Sequence, residues 1–259
     1  MNTKSRAISL IVLAVALVAA ASPVAARPAD DDWEIMVAPY LLGAFMNGTV
    51  GVRGVETTID VSASDIFSKL KMGFNGYFQA KKGKWGFASD IIYMNLGTYQ
   101  ETPHTNFDTS QGAYSFVGIR ELNERLDLMF GVRWNVITGD VLFFDARPPL
   151  IPANTKLSMK KQWVDPLVGI NWNQPLGEKL LFNLGFNLAG FGAGAKIVVD
   201  CFPTLQYRVG KRAWLGLGYR LMYTNYEKNY VDGALVQPAD AFKYDVVSQG
   251  PVVGMAFRF

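Results

Sequence analysis

The stretch AWLGLGYRLMYT, residues 213–224, carries the pattern from which the fold can be predicted. Bulky apolar side chains occupy every second position, and between them lie mainly small or polar residues and one arginine, Arg220. The bulky set consists of Leu215, Leu217, Tyr219, Leu221 and Tyr223. Strict alternation of this kind is typical of a β-strand with one apolar face. We therefore predict a strand here, with Arg220 on the face opposite the bulky residues.

The same two-residue period recurs along the chain, most clearly at 125–136, 178–190, 198–209 and 252–259. We predict an all-β fold, an antiparallel up-and-down β-barrel of ten strands. The predicted strands lie near 33–47, 71–82, 84–97, 111–121, 125–138, 160–174, 179–191, 197–209, 212–226 and 243–259. The first and fourth of these alternate least cleanly, and residues 49–61 could form a further strand. Eight and twelve strands therefore stay open as alternatives.

The composition of the polar face separates a soluble barrel from a transmembrane one. A soluble barrel exposes its polar face to water, which favours lysine and glutamate, whereas here that face is mostly Gly, Asn, Ala, Thr and Gln. An arginine on a lipid-facing position at the bilayer centre costs about 2–4 kcal/mol. Arg133, Arg208, Arg220 and Arg258 all fall on the phase opposite the bulky residues. The pattern predicts a transmembrane barrel with a polar interior.

The connections between the predicted strands alternate in length. Short polar ones occur at 81–85, 121–125, 174–179 and 209–213, and longer ones at 48–70, 98–112, 139–159, 190–196 and 226–243. Outer-membrane barrels combine short periplasmic turns with longer extracellular loops in this way. Aromatic residues lie near both sets of strand ends, as expected for two interfacial girdles. They are Trp33, Trp85, Trp172 and Trp214 at the short turns, and Tyr99, Tyr114, Tyr223, Tyr226 and Tyr244 at the loops.

The N-terminal region has the layout of a secretory signal peptide. Lys4 and Arg6 precede an apolar run at 7–21, and small residues follow up to Ala26. A membrane anchor is the alternative, but the run is shorter than the ~20 residues that a spanning helix needs. We expect a signal peptide at 1–26 and a single barrel domain at 27–259. Removing the two basic residues lowers the formal charge from +3 to +1, which argues against nucleic acid as a partner. The one cysteine, Cys201, has no partner for an internal disulfide.

The chain resembles the small bacterial outer-membrane β-barrel proteins of the OmpA-like and opacity-like type. The signal-peptide layout, the alternating strands and the final strand VVGMAFRF carry this resemblance. It implies a location in the outer membrane of a Gram-negative bacterium, with membrane lipid and the barrel assembly machinery as partners. In that group a C-terminal aromatic residue with alternating apolar residues before it is the assembly signal, which here implies Phe257 and Phe259. The resemblance covers nearly all of 27–259.

Enzymes occur among such barrels, so the candidate catalytic residues were compared with theirs. The single histidine, His104, has Asp108 and Ser110 nearby, but any polar loop supplies these residue types. No Asp-His pair resembles the aspartate-histidine barrel proteases, and no His-Ser pattern lies on a strand as in the lipid hydrolases. We expect a non-catalytic protein with no catalytic residues, cofactor or metal.

The charged residues on the interior phase form the main candidate site. We predict a lumen charge network of Asp90, Asp127, Arg133, Asp165, Asp200, Arg208, Arg220 and Arg258. Such a network can act as a charged constriction that selects small solutes, or as a salt-bridged plug. Eight strands leave room only for side chains, and open channels appear at about 16 strands, so ten strands favour the plug.

Some predicted loops have features of their own. Residues 62–70 can form a short helix capped by Ser64, with Ile66, Phe67 and Leu70 as its apolar edge. Residues 143–152 are apolar and contain three prolines, and 190–196 should be a tight glycine-rich connection. Loops 48–70 and 139–159 are candidates for binding an extracellular ligand. The favoured function is a structural or surface role, with a narrow porin-like diffusion channel second and a lipid or peptide hydrolase third.

Overall fold

The computed structural model describes residues 32–52, 55–101, 104–143, 155–231, 238 and 240–259. The predicted signal peptide at 1–26 and nearly all of the apolar loop at 143–152 lie outside the described residues. Within the described residues, no helix is long and apolar enough to cross a membrane.

The described chain is almost entirely β-structure, with one short helix. In chain order the elements are β1 (Trp33–Leu42), β2 (Phe45–Val52), β3 (Val55–Val61), α1 (Ala63–Lys69), β4 (Leu70–Lys82), β5 (Trp85–Glu101), β6 (His104–Asn123), β7 (Leu126–Phe143), β8 (Thr155–Pro175), β9 (Leu180–Ala189), β10 (Ile197–Arg208), β11 (Ala213–Lys228) and β12 (Phe242–Arg258).

The sheet closes into a barrel of ten antiparallel strands, β1 and β4 to β12, as the sequence predicts. Each of these strands pairs with its neighbour in the chain, and β12 returns to pair with β1. At the seam Met36 lies opposite Arg258, and Ile35 and Phe259 exchange two backbone hydrogen bonds of 3.1 and 2.9 Å. Closure gives each of the ten barrel strands a partner on both sides, as a membrane-spanning sheet requires.

The two additional strands extend one side of the barrel. β2 continues the line of β1 along β12, and β3 folds back onto β2. The step between β1 and β2 brings the Gly43 backbone against Gly250, where a Cβ atom would lie 1.9 Å from the Gly43 carbonyl oxygen. Only glycine fits there. The predicted further strand at 49–61 is therefore present, but it is divided between two antiparallel strands, β2 and β3.

Helix α1 joins β3 to β4 and corrects one detail of the prediction. Its N-cap is Ser62 rather than Ser64, because the Ser62 hydroxyl accepts from the Asp65 amide while the Asp65 carboxylate accepts from the Ser62 amide. This reciprocal pair is a capping box. Ile66 is buried, whereas Phe67 is exposed. The predicted apolar edge is thus divided between the interior and the outside.

Several predicted loops are shorter than expected because their strands continue into them. The β5–β6 hairpin pairs as far as Glu101 and His104, inside the predicted loop 98–112. The β7–β8 pair extends to Phe143 and Thr155, inside the predicted loop 139–159. A spanning strand needs only ~9–11 residues. Backbone pairing continues past that length because it does not depend on apolar side chains.

The outward face is a continuous apolar belt. Leu217, Phe130 and Val253 are 58, 44 and 43 % exposed, as membrane-facing residues should be. The aromatic girdles are less complete than predicted. Trp214, Tyr226 and Tyr244 have the interior phase, on the side of Arg220 and Val246, and the two tyrosines are buried. Sequence position alone placed these rings near the interfaces, but strand phase turns them inward. Trp33, Trp85, Trp172, Tyr114 and Tyr223 keep the outward phase.

Candidate functional site: a charged network across the barrel interior

The centre of the interior is occupied by Arg220 on β11. Its guanidinium donates to both carboxylate oxygens of Asp200, at 3.0 Å from Nε to Oδ1 and 2.7 Å from Nη2 to Oδ2. The same Nη2 lies 2.6 Å from Asp90 Oδ2, and Nη1 donates to the Tyr40 hydroxyl at 2.8 Å. The Tyr40 hydroxyl in turn donates to Asp90 Oδ1 at 2.8 Å. One arginine therefore joins three strands, β1, β5 and β10.

A second arginine, Arg133 on β7, completes the network. Its Nη2 lies 2.5 Å from Asp200 Oδ2, and its Nε donates to Ser115 Oγ on β6 at 3.0 Å. Asp200 is thus held by two guanidinium groups, and two arginines balance the two aspartates Asp90 and Asp200. Fork-shaped guanidinium groups suit such paired recognition of carboxylates. The result is an electrically balanced cluster.

The network crosses the lumen rather than following one wall. Asp90, Ser115 and Arg133 come from β5, β6 and β7, whereas Asp200 and Arg220 come from β10 and β11, beyond β8 and β9 in the ring. Asp200 and Arg133 are 1 and 2 % exposed. The Phe202 ring packs beneath the Arg220 guanidinium at 5.2 Å and adds a cation–π contact. These side chains form a layer across the middle of the barrel.

Asp165 forms a separate cluster on the long-loop side of this layer. It accepts hydrogen bonds from Asn135 Nδ2, Trp163 Nε1 and the backbone amide of Ala195, at 2.8, 3.0 and 2.6 Å. Ala195 belongs to the connection 190–196 between β9 and β10. The buried carboxylate therefore ties this connection to the barrel wall. Gly194 passes so close that a Cβ there would lie 2.4 Å from Asp165 Oδ1.

Apolar side chains fill the interior above the network, toward the long-loop end. The Trp163 indole stacks on Tyr226 with ring centroids 4.0 Å apart, and the Tyr244 ring lies 6.4 Å from the same indole. Phe242 and Val246 are buried beside them. Helix α1 adds Ile66 to the same apolar cluster. This half of the interior is a packed core.

The other half of the interior contains a cavity of about 820 Å3 beneath the charged layer. Tyr40, Asp90, Arg133 and Arg220 line its closed end. One wall carries a row of amide side chains, in which Asn183 Nδ2 donates to the Asn171 and Asn173 side-chain oxygens at 2.6 and 3.0 Å. The facing wall carries Lys81, paired with Glu121 and Asp127 at 2.9 and 2.8 Å. The cavity is a polar vestibule at the short-turn end.

The structure separates the eight predicted network residues into four groups. Asp90, Arg133, Asp200 and Arg220 form the central layer, while Asp165 and Asp127 have the separate partners described above. Arg258 donates to Gln206 at 2.9 Å, and both Arg258 and Arg208 lie over the Trp214 ring.

The sequence did not predict Tyr40, Ser115, Lys81 or Glu121 as members of the interior network. Tyr40 lies in one of the two predicted strands that alternate least cleanly, so only the register of β1 reveals its inward position.

Two of the three candidate catalytic residues have other partners. Asp108 pairs with Lys71, and Ser110 Oγ lies 2.6 Å from Thr138 Oγ1. His104 begins β6, and its side chain is outside the described residues. Among the residues that the structure describes, no group of three or more His, Cys, Asp or Glu side chains could hold a metal ion.

Comparison with known proteins finds the fold but not a family. No protein-family description and no curated protein matches the chain. Among solved structures it is similar to the outer membrane protease OmpT of Escherichia coli, with 10 % identity, a TM-score of 0.55, and coverage of 90 % of this chain and 99 % of OmpT. Ail, the attachment invasion locus protein of Yersinia pestis, matches with 11 % identity and a TM-score of 0.40, over 89 % of this chain and 100 % of Ail. Neisserial surface protein A matches with 12 % identity and a TM-score of 0.30, over 90 and 100 %.

The fold is that of the bacterial outer-membrane β-barrels. This follows from the closed ten-stranded sheet, its apolar outer belt and the similarity to the OmpT fold. At this level of sequence identity the similarity concerns architecture alone.

Proposed function

We propose that this chain is a closed, non-catalytic outer-membrane barrel with a structural or surface role. The observation that supports this function is the balanced layer of Arg133, Asp200, Arg220 and Asp90 across the lumen. Every charge in it is paired with an opposite charge from another strand. The apolar core above it fills the long-loop half, so two successive layers obstruct passage.

A plug of this kind also stabilises the wall. Narrow barrels have interiors that side chains can fill. Two of the three ion pairs of the layer join strands that are distant in the chain, β5 with β11 and β7 with β10, and the third joins the neighbours β10 and β11. The surface would then act through what the loops present, with 48–70 and 139–159 as the proposed binding segments for an extracellular ligand.

Single-channel conductance of the folded barrel in a planar lipid bilayer tests the proposal. We expect no reproducible openings from the wild-type protein, provided that heat-dependent gel mobility shows it to be folded. Reproducible openings of the wild-type protein would contradict the closed-barrel function. Lys196→Ala is a control variant, because Lys196 is exposed and pairs with Glu227 away from the layer.

A narrow diffusion channel is the second candidate, favoured by the polar vestibule of about 820 Å3 that reaches the charged layer. In this alternative the layer is a gate, and opening it requires free energy to separate its ion pairs. Arg220→Ala removes the central cation, so the variant would conduct while the wild type conducts rarely. If neither the wild-type protein nor Arg220→Ala shows openings, the closed-plug function is supported. If only Arg220→Ala opens frequently, the charged layer is the barrier to conduction.

The non-catalytic function has its own test at His104. Hydrolase activity with lipid or peptide substrates would show that the protein is an enzyme and would contradict the non-catalytic part of the proposal. Replacing His104 with alanine would then show whether the single histidine is responsible. We expect neither protein to exceed the uncatalysed rate.

A further inference from the structure

Four residues at the short-turn end form a single outward-facing row across adjacent strands. Trp33 on β1 lies opposite Lys82 on β4, Lys82 lies opposite Trp85 on β5, and Trp85 lies opposite Arg120 on β6. Aromatic and basic side chains thus alternate around this part of the rim. Neighbouring strands are about 4.8 Å apart, so the row spans roughly 14 Å.

The row is accessible from the membrane side. Trp33 and Trp85 are 58 and 57 % exposed, and Lys82 is exposed as well. The Arg120 guanidinium lies over the Trp85 ring at 4.6 Å, which fixes its position beside the indole. No described carboxylate forms an ion pair with Arg120.

The acidic side chains of this rim have the opposite orientation. Glu34 and Asp127 line the vestibule, and Glu121 pairs with Lys81 inside it. Strand alternation places them on the interior face, with Glu34 next to Trp33 and Glu121 next to Arg120 in the chain. These carboxylates therefore face the lumen, where Lys81 also lies, whereas Lys82 and Arg120 face outward.

The surface next to the row is apolar. Two residues further into the membrane, Ile35 follows Trp33 and Phe87 follows Trp85 on the same outward face. Phe87 and Phe130 are both 44 % exposed, and the Phe130 ring meets the Trp85 ring edge-on at 6.5 Å. A basic and aromatic rim above an apolar surface matches the two parts of a phospholipid, its phosphate head group and its acyl chains.

We propose that the row Trp33–Lys82–Trp85–Arg120 binds the head group of an anionic phospholipid in the periplasmic leaflet. The phosphate lies between Lys82 and Arg120, beside the Trp85 indole, and the acyl chains lie along Phe87 and Phe130. This binding does not depend on whether the barrel conducts. It adds a specific lipid partner at a rim otherwise expected to contact lipid without selectivity.

Native mass spectrometry of the folded barrel in a mild detergent tests this site. Dioleoyl-phosphatidylglycerol and dioleoyl-phosphatidylcholine are titrated separately, and the bound lipid that survives collisional activation is counted. We expect the wild-type protein to retain phosphatidylglycerol preferentially. The double variant Lys82→Gln/Arg120→Gln should bind it roughly 25-fold more weakly, from about fivefold for each basic residue.

Two variants separate site binding from a general charge effect. Lys211→Gln/Arg212→Gln removes the same net charge from an exposed turn at the same end, and should change affinity less than about twofold. Lys82→Arg/Arg120→Lys keeps both charges and should keep the preference. If the Gln double variant does not fold, the two single Gln variants are measured instead, each with an expected fivefold loss.

Three results would overturn the proposal. One is equal retention of the two lipids by the wild-type protein. Another is an equal loss of affinity in the Lys211/Arg212 variant and in the Lys82/Arg120 variant. The third is displacement of the lipid by inorganic phosphate in tenfold excess, which would make the row a site for free anions. Persistence of the lipid in that competition supports the phospholipid assignment.

Discussion

Arg220 donates to three side chains from three different strands. Its replacement therefore removes the opposite charge beside Asp200 and Asp90 and the hydrogen-bond donor to Tyr40. We expect Arg220→Met to lower the free energy of unfolding by about 3–5 kcal/mol, because the buried Asp200 and the partly buried Asp90 lose a compensating charge. Urea-induced unfolding in lipid vesicles, followed by tryptophan fluorescence, measures the change.

Lys196→Met is the matched control for this substitution. Lys196 also forms an ion pair, with Glu227, but the lysine is 60 % exposed, and such pairs contribute about 0–1 kcal/mol. An equal loss of stability in the two variants would show that burial across the lumen adds nothing to the network.

Asp165 accepts three hydrogen bonds and positions the connection 190–196 through the Ala195 amide. We expect Asp165→Ala to release this connection, because no other described side chain bonds to that amide. Trypsin then should cleave after the exposed Lys196 at least several-fold faster. Mass spectrometry of the fragments gives the rate, and cleavage after Lys211 in a turn at the other end is the internal control. An unchanged rate at Lys196 would mean that the connection holds without the carboxylate.

The helix α1 depends on its capping box, and this makes it sensitive to pH. Hydrogen bonds from the Ser62 side chain and backbone lower the pKa of the Asp65 carboxyl below its usual value. A lowered pKa in the folded state means that the stabilisation is present above the unfolded pKa of about 3.9 and is lost as the pH falls through the folded value. The helix should therefore loosen in acid.

Hydrogen–deuterium exchange of the segment 62–70, corrected for intrinsic rates, tests the pH dependence. We expect strong protection at pH 7 and reduced protection at a pH below the lowered pKa of Asp65. Asp65→Asn should remove most of the difference between the two conditions. If the variant keeps the full pH dependence, the carboxylate of Asp65 is not its cause.

The barrel as a whole depends on the apolar belt and on the phase of each strand. Leu217 faces lipid, whereas Thr204 lines the vestibule. We expect Leu217→Arg to reduce the free energy of folding into vesicles by about 2–4 kcal/mol, the range for arginine facing the bilayer midplane. Thr204→Arg introduces the same charge on the interior side and should have a smaller effect. Equal effects would contradict the assigned orientation of these strands.

Strand phase was the most informative property of the sequence. Alternation at 213–224 predicts which residues face lipid, and the structure places Leu215, Leu217 and Tyr219 outside, with Arg220 inside. The ten-stranded closed barrel follows from repetition of the same pattern. The interior ion pairs could be foreseen as a set of residues with one phase, but not as particular pairs. Pairing depends on which interior side chains lie at the same level along the barrel axis once the sheet has closed.

The sequence by itself determined the architecture and the direction of most side chains, because a period of two is a local property of the chain. Only the tertiary structure decided that Arg220 joins Asp200, Asp90 and Tyr40, that β2 and β3 extend the wall, and that Tyr226 and Tyr244 turn inward. These contacts join residues that are far apart in the chain, such as Tyr40 and Arg220, which are 180 positions apart. Their partners are set by register and closure, which arise only when all ten strands have assembled.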